Sequence, residues 1–143
     1  MEETLSGVRS FTEAEDPTLR LYAIVRTDLH MPPGKLAAQA GHAFVEALKE
    51  AQENWDTPTE PYLPLREYLA ETPGTKIVLA APSERHLLDL HDYARKFLPT
   101  ALVVDSGHVM PPHFTGDEIV TALGIGPCTK AQITLFTKNL RLL

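Results

Sequence analysis

Lys35, Gln39 and His42 fall at i, i+4 and i+7, the spacing that puts three side chains on one face of a helix. They sit in an alanine-rich run that opens after Met31-Pro32-Pro33-Gly34, directly behind the apolar segment Leu21-Tyr22-Ala23-Ile24-Val25. A lysine in the first turn is a poor choice for helix stability, because that end already carries partial positive charge. The same end suits an anion, since free N–H groups and an ammonium then converge on it. A second candidate group is Asp105, which ends the apolar run Thr100-Ala101-Leu102-Val103-Val104 and precedes Ser106-Gly107. It reads either as a turn residue bonding its own backbone or as a carboxylate that orients water or accepts its proton. His42 reads equally as a satisfied imidazole or a catalytic one. Gln39 alone reads as surface, and Thr121 alone as an ordinary strand threonine.

Other chemistries find less support. The turn before Lys35 lacks the glycines and the Ser/Thr of a Walker A loop, so a nucleoside triphosphate site is not indicated. No nucleophile elbow is present, and nothing but Asp105 would activate Ser106. Cys128 follows Pro127 near a helix start, where a thiolate is favoured, but without a base beside it the residue reads as packing. His86 and His91 are five apart, and no HxxxH or Cys/His cluster occurs, so a zinc site is not indicated.

The elements that must position these residues follow from periodicity. The first strand is expected over Leu21–Arg26, and its helix from Pro33 to about Gln52, with Leu36, Ala40, Ala43, Ala47 and Ala51 on the apolar face. Small alanines let that helix approach a sheet closely. A proline-broken stretch holds a short helix near Leu65–Ala70. Lys76–Ala81 reads as a second strand, followed by a helix capped by Ser83 and ending before Pro99. Thr100–Asp105 is a third strand, and after a turn-rich loop Glu118–Ile125 a fourth. Thr129 with Gln132 is a capping-box pattern that starts a last helix, Lys130 to Asn139. The expected class is α/β: a single domain over residues 20–143, one four-stranded mixed sheet with helices on both faces and the βα units parallel. Residues 1–19 are expected to form an acidic arm. In such a sheet, ligands gather at the carboxyl ends of the strands, where the Thr27–Lys35 turn and the Asp105–Gly116 loop meet.

Composition sets outer bounds. With 143 residues, 43% apolar and 22% charged, the chain can build one real core. No apolar run nears the roughly 20 residues of a membrane span. The start, Met1-Glu2-Glu3-Thr4, has neither the basic nor the apolar region of a signal peptide, and one cysteine suits a reducing cytoplasm. The formal charge of −6 runs against a broad nucleic-acid surface and leaves room only for a local positive patch.

Four blocks, in order, resemble the archaeal- and eukaryotic-type peptidyl-tRNA hydrolase family. They are Val25-Arg26-Thr27-Asp28-Leu29 with Met31 and Gly34-Lys35; Ala37-Ala38-Gln39 with His42-Ala43; Lys76-Ile77-Val78-Leu79 with Ala81-Pro82-Ser83-Glu84; and Thr121 with Leu123-Gly124-Ile125-Gly126-Pro127. The closing Leu140-Arg141-Leu142-Leu143 also matches. The resemblance implies a homodimer that cleaves the ester joining a peptide to the terminal ribose of tRNA, without a metal and away from membranes. It implies catalytic roles for Lys35, Asp105, Thr121 and His42, with Gln39, Arg26 and His108 as substrate contacts. Asp105 would aim or deprotonate water, Lys35 would hold the oxyanion or a phosphate, and Thr121 would donate a hydrogen bond. His42 would position substrate or shuttle a proton. The chain departs from the family pattern after Asp105, where Ser106-Gly107-His108-Val109-Met110 runs into a longer Pro111-Pro112-His113-Phe114-Thr115-Gly116 stretch. A basic position there becomes His108 and a threonine becomes Val109, with Thr115 nearby as a hydroxyl that could stand in; before Lys35, basic positions become His30 and Pro33. Those losses admit two other readings: a non-catalytic binding module of the same fold, or a hydrolase of another small ester.

Overall fold

The first strand is apolar on both sides, and that requires a layer of helices on each face of the sheet. In the structure, a computed structural model that describes residues 16–143, β1 (Leu19–Arg26) lies inside a four-stranded sheet. Ala23 and Val25 face one layer, while Tyr22 and Ile24 face the other. The elements that follow are α1 (Pro33–Glu50), α2 (Leu63–Leu69), β2 (Thr75–Ala81), α3 (Glu84–Ala94), β3 (Thr100–Asp105), β4 (Val109–Met110), β5 (Phe114–Thr115), β6 (Ile119–Thr129) and α4 (Lys130–Thr137). The sheet order is β2-β1-β6-β3, with β1 parallel to β2 and β6 antiparallel to both β1 and β3. The expected mixed four-stranded sheet with helices on both faces is thus present. The arm expected over residues 1–19 falls outside the described residues as far as residue 15.

Local signals account for most element ends. Ser83 accepts from the His86 N–H, and Thr129 and Gln132 form the reciprocal capping box. α1 begins at Pro33, whose missing N–H costs nothing in a first turn, and it runs on into a wider π turn over Ala51–Trp55. The fourth sheet strand is longer than expected, because Gly126-Pro127 does not stop it. The register against β1 shifts between Arg20 and Tyr22, so Pro127 lies in an irregularity where no ladder donor is needed. Along the free side of β2, Ala80 donates to the Arg141 carbonyl and Leu143 to the Val78 carbonyl, so the chain end covers that edge.

Two apolar clusters hold the layers. On one face Ala40 and Ala43 of α1 pack on Ala23, Val25, Val103 and Ala122. On the other, Leu87, Leu90 and Ala94 of α3 and Ile133 of α4 pack on Tyr22, Ile24, Leu123 and Ile125. Cys128 belongs to this second cluster, fully buried, and burial pushes its thiol up to about 12. It is a core residue, inert at neutral pH. The alanines bring α1 so close to β6 that a Cβ at Gly124 would collide with the Ala43 carbonyl oxygen. Gly124→Ala therefore has to push the helix off the sheet. A loss of about 2 kcal/mol or more in urea unfolding is expected, with the helix-borne side chains Lys35 and Gln39 displaced.

Candidate active site

The carboxyl ends of β1 and β3 and the start of β6 lie at one edge of the sheet, and α1 starts above them. Lys35, in the first turn of α1, reaches across to the last residue of β3. Its Nζ lies 2.5 Å from Asp105 Oδ2, joining groups 70 positions apart in sequence. Both side chains are mostly shielded, 16% and 20% exposed, so the pair is held in place by its surroundings rather than by chance encounter. The ring of Phe114 closes the other side of the ammonium, 4.9 Å from Nζ to its centroid, as a cation–π contact.

One turn along the helix, Gln39 is 1% exposed rather than on the surface. Its Oε1 accepts a 2.5 Å hydrogen bond from Thr121 Oγ1, itself fully buried. This contact depends on a bulge. β3 pairs Val103 with Ala122 and Val104 with Val120, which leaves Thr121 as the extra residue. Strict alternation would send Thr121 to the α3/α4 side with Leu123. The bulge turns it to the α1 side instead, beside Ala122. His42, a further turn along, is exposed and lines a groove of about 400 Å³ with Glu46, Leu102 and Asp105.

Arg26 and His108, expected to touch substrate, have other partners. The Arg26 guanidinium is 8% exposed as a residue and forks onto Asp28 (3.0 and 2.8 Å), with further bonds to Glu84 at 3.3 Å and the Val120 carbonyl at 2.9 Å. Arg26 lowers the pKa of Asp28 through its side-chain hydrogen bonds and ties the turn after β1 to α3 and β6. His108 sets its ring edge-on against Phe114, 5.1 Å between centroids, and its Nε2 is buried without a partner among the described residues.

The stretch from Asp105 to Gly116 is more than a loop. β4 and β5 form a small hairpin, pairing Val109 with Thr115 and Met110 with Phe114. Its base is closed by a 3.0 Å bond from the Gly107 N–H to the Gly116 carbonyl, both residues at positive φ that glycine adopts without strain. Phe114 is 1% exposed and packs in the α1-side core with Leu29, Met31 and Met110. Neither the hairpin nor Phe114 was expected; the signal available was Pro111-Pro112 between Val109-Met110 and His113-Phe114, bracketed by two glycines. Val109 is 67% exposed, and the Thr115 hydroxyl bonds Asp117 at 3.3 Å. Among the described residues no group of three or more His, Cys, Asp or Glu side chains is arranged to hold a metal ion. A cavity of about 470 Å³ on the α4 side, between Arg20, Ile77 and Thr137, contains none of the candidate residues.

The model of one protein family, peptidyl-tRNA hydrolase PTH2, matches residues 19–143, from the first residue of β1 onward. The chain belongs to that family. It is 40% identical over 125 residues to a peptidyl-tRNA hydrolase of Staphylothermus marinus, covering 84% of this chain and 91% of the relative. It is 32% identical over 126 residues to one from Methanocaldococcus jannaschii, covering 87% and 100%. It is also 33% identical over 141 residues to the mitochondrial peptidyl-tRNA hydrolase 2 of Mus musculus, covering 98% and 72%.

The buried Gln39–Thr121 bond has a consequence that stability measurements read directly. Thr121→Val or Gln39→Leu alone strands the remaining polar group and costs about 1–3 kcal/mol. The double variant strands neither, and its unfolding free energy is expected above that of the worse single variant in urea titrations.

Proposed function

We infer that the chain hydrolyses the ester that joins a peptide, or an N-blocked aminoacyl group, to tRNA, with Asp105 and Lys35 at the reacting atoms. The observation that carries this reading is the shielded Lys35–Asp105 pair at the sheet edge. Family membership over residues 19–143 supports the substrate class.

Ester hydrolysis needs an aimed water, a sink for its proton, and positive charge where the carbonyl oxygen becomes an oxyanion. The Asp105 carboxylate takes the proton as water adds to the ester carbon. The Lys35 ammonium, fixed between that carboxylate and the Phe114 ring, faces the developing oxyanion. Collapse of the tetrahedral intermediate breaks the bond to the ribose oxygen, which leaves with a proton as a hydroxyl. The products are the free peptide acid and tRNA. His42, exposed on the Asp105 groove, positions the acyl part or relays that proton. Thr121 and Gln39 act through position: their bond sets the helix face from which Lys35 projects. Arg26 positions the turn, and His108 supports Phe114. For assembly, the homodimer expected of the family is supported by an apolar cluster on α3, the turn after it and α4, where Tyr93, Phe97 and Leu135 are exposed. A single buried free thiol supports a reducing compartment such as the cytoplasm.

The test is release of the acyl group from labelled N-acetylaminoacyl-tRNA. Asp105→Asn and Lys35→Ala are each expected to lower kcat by about 10²–10⁴ while far-UV circular dichroism shows the fold retained. Near-normal turnover by both variants would overturn the assignment.

A further inference from the structure

The segments that frame the site, residues 27–35 and 105–121, contain one lysine or arginine between them, and that one, Lys35, is bound to Asp105. Against it stand Asp28, Asp105, Asp117 and Glu118. A nucleic-acid end cannot be held here by point charges on its phosphates. What these segments offer instead is rings. The rings of His30 and His113 lie with centroids 6.3 Å apart and planes inclined by 38°. Between them runs an open groove of about 360 Å³, floored by Leu29 and Met110 and walled by Pro32 and Pro112.

We propose that this groove takes the terminal unpaired base of the tRNA, stacked between His30 and His113. The inference rests on the peptidyl-tRNA reading of the adjoining site. Stacked bases repeat at about 3.4 Å, so a base between two rings needs them about 6.8 Å apart. The histidines stand about half an ångström short of that, on exposed side chains free to level. Unpaired bases are bound on ring faces of this kind, and proline faces extend the platform. His30 is pinned in the left-handed region at φ 52°, uncommon for a side chain of its size, with its N–H bonded to the Thr27 carbonyl at 3.2 Å.

The groove is continuous with the site. Met110 in its floor pairs across the hairpin with Phe114, whose ring touches the Lys35 ammonium, and Pro32 in its wall is the residue before α1. The scissile ester is on the ribose of the terminal nucleotide, so base and ester are joined by one sugar. A base held on the far side of Phe114 sets that ribose toward Lys35 and Asp105. The hairpin then has a purpose in substrate choice: it carries His113 on one side and Phe114 on the other.

The experiment measures equilibrium binding of tRNA carrying N-acetylglycine through an amide, which is not cleaved, to the full chain. A second probe is identical except that the terminal nucleotide lacks its base. Glycine has no side chain, so binding of a peptide side chain in the groove cannot contribute. Removing the base is expected to weaken wild-type binding about tenfold. His30→Ala and His113→Ala each weaken the intact probe several-fold and leave the baseless probe unaffected, and His113→Phe restores the intact probe. Equal binding of the two probes by wild type, or equal losses on both probes in the alanine variants, would overturn the proposal. Binding decides it independently of turnover. Failure of the Asp105 assignment shows instead as hydrolysis that survives Asp105→Asn.

Discussion

Everything at the sheet edge depends on keeping an ammonium and a carboxylate together out of bulk water. Lys35 and Asp105 come from the first turn of α1 and the last position of β3, and each is more than three-quarters shielded. Charges in such a place are tolerated only when paired, and a pair this short leaves little freedom in either side chain. The neighbours reflect that demand. Phe114 fills the space beside the ammonium with a ring face, the one apolar surface that attracts a cation. His108 then braces Phe114 at the cost of a buried ring nitrogen without a partner among the described residues. That cost, on the order of 1–3 kcal/mol, falls beside the Lys35–Asp105 pair.

The rest of the fold acts to bring α1 down onto β6. A glycine on the strand and alanines on the helix reduce the gap until backbone touches backbone at Gly124 and Ala43. At that separation a single polar bond, Thr121 to Gln39, sets helix rotation, and a bulge in the β3–β6 ladder supplies the threonine. The polar stripe of α1 is therefore split by depth: Gln39 is locked in the core, Lys35 half emerges at the sheet edge, and His42 opens onto solvent. Three residues at helical spacing become three levels of one site.

Local features were legible because their causes are local. Ser83 and Thr129 cap helices through bonds to residues three positions away, and the continuous apolar run of β1 needs no partner to be read. The candidate residues were legible by type, and the structure brings Lys35 and Asp105 together. What escaped depends on distant partners. Gln39 looked like surface because its burial requires a strand bulge that periodicity cannot reveal. The bonds of the Arg26 guanidinium to Glu84 and the Val120 carbonyl join residues far apart along the chain and could not be read from its neighbours. The run from Val109 to Thr115 looked like loop because strands of two residues carry no period, and Phe114 is placed by a pairing with Met110 that only the folded hairpin makes.

The central claim is that Lys35 and Asp105 work as one unit rather than as two separate aids to hydrolysis. The direct measurement is kcat/KM on N-acetylaminoacyl-tRNA for wild type, Lys35→Ala, Asp105→Asn and the double variant. For a single unit, the double variant loses about as much as the worse single one, because the second change removes something already disabled. Losses that multiply across the two positions would contradict the account and make the short contact between them incidental to the reaction.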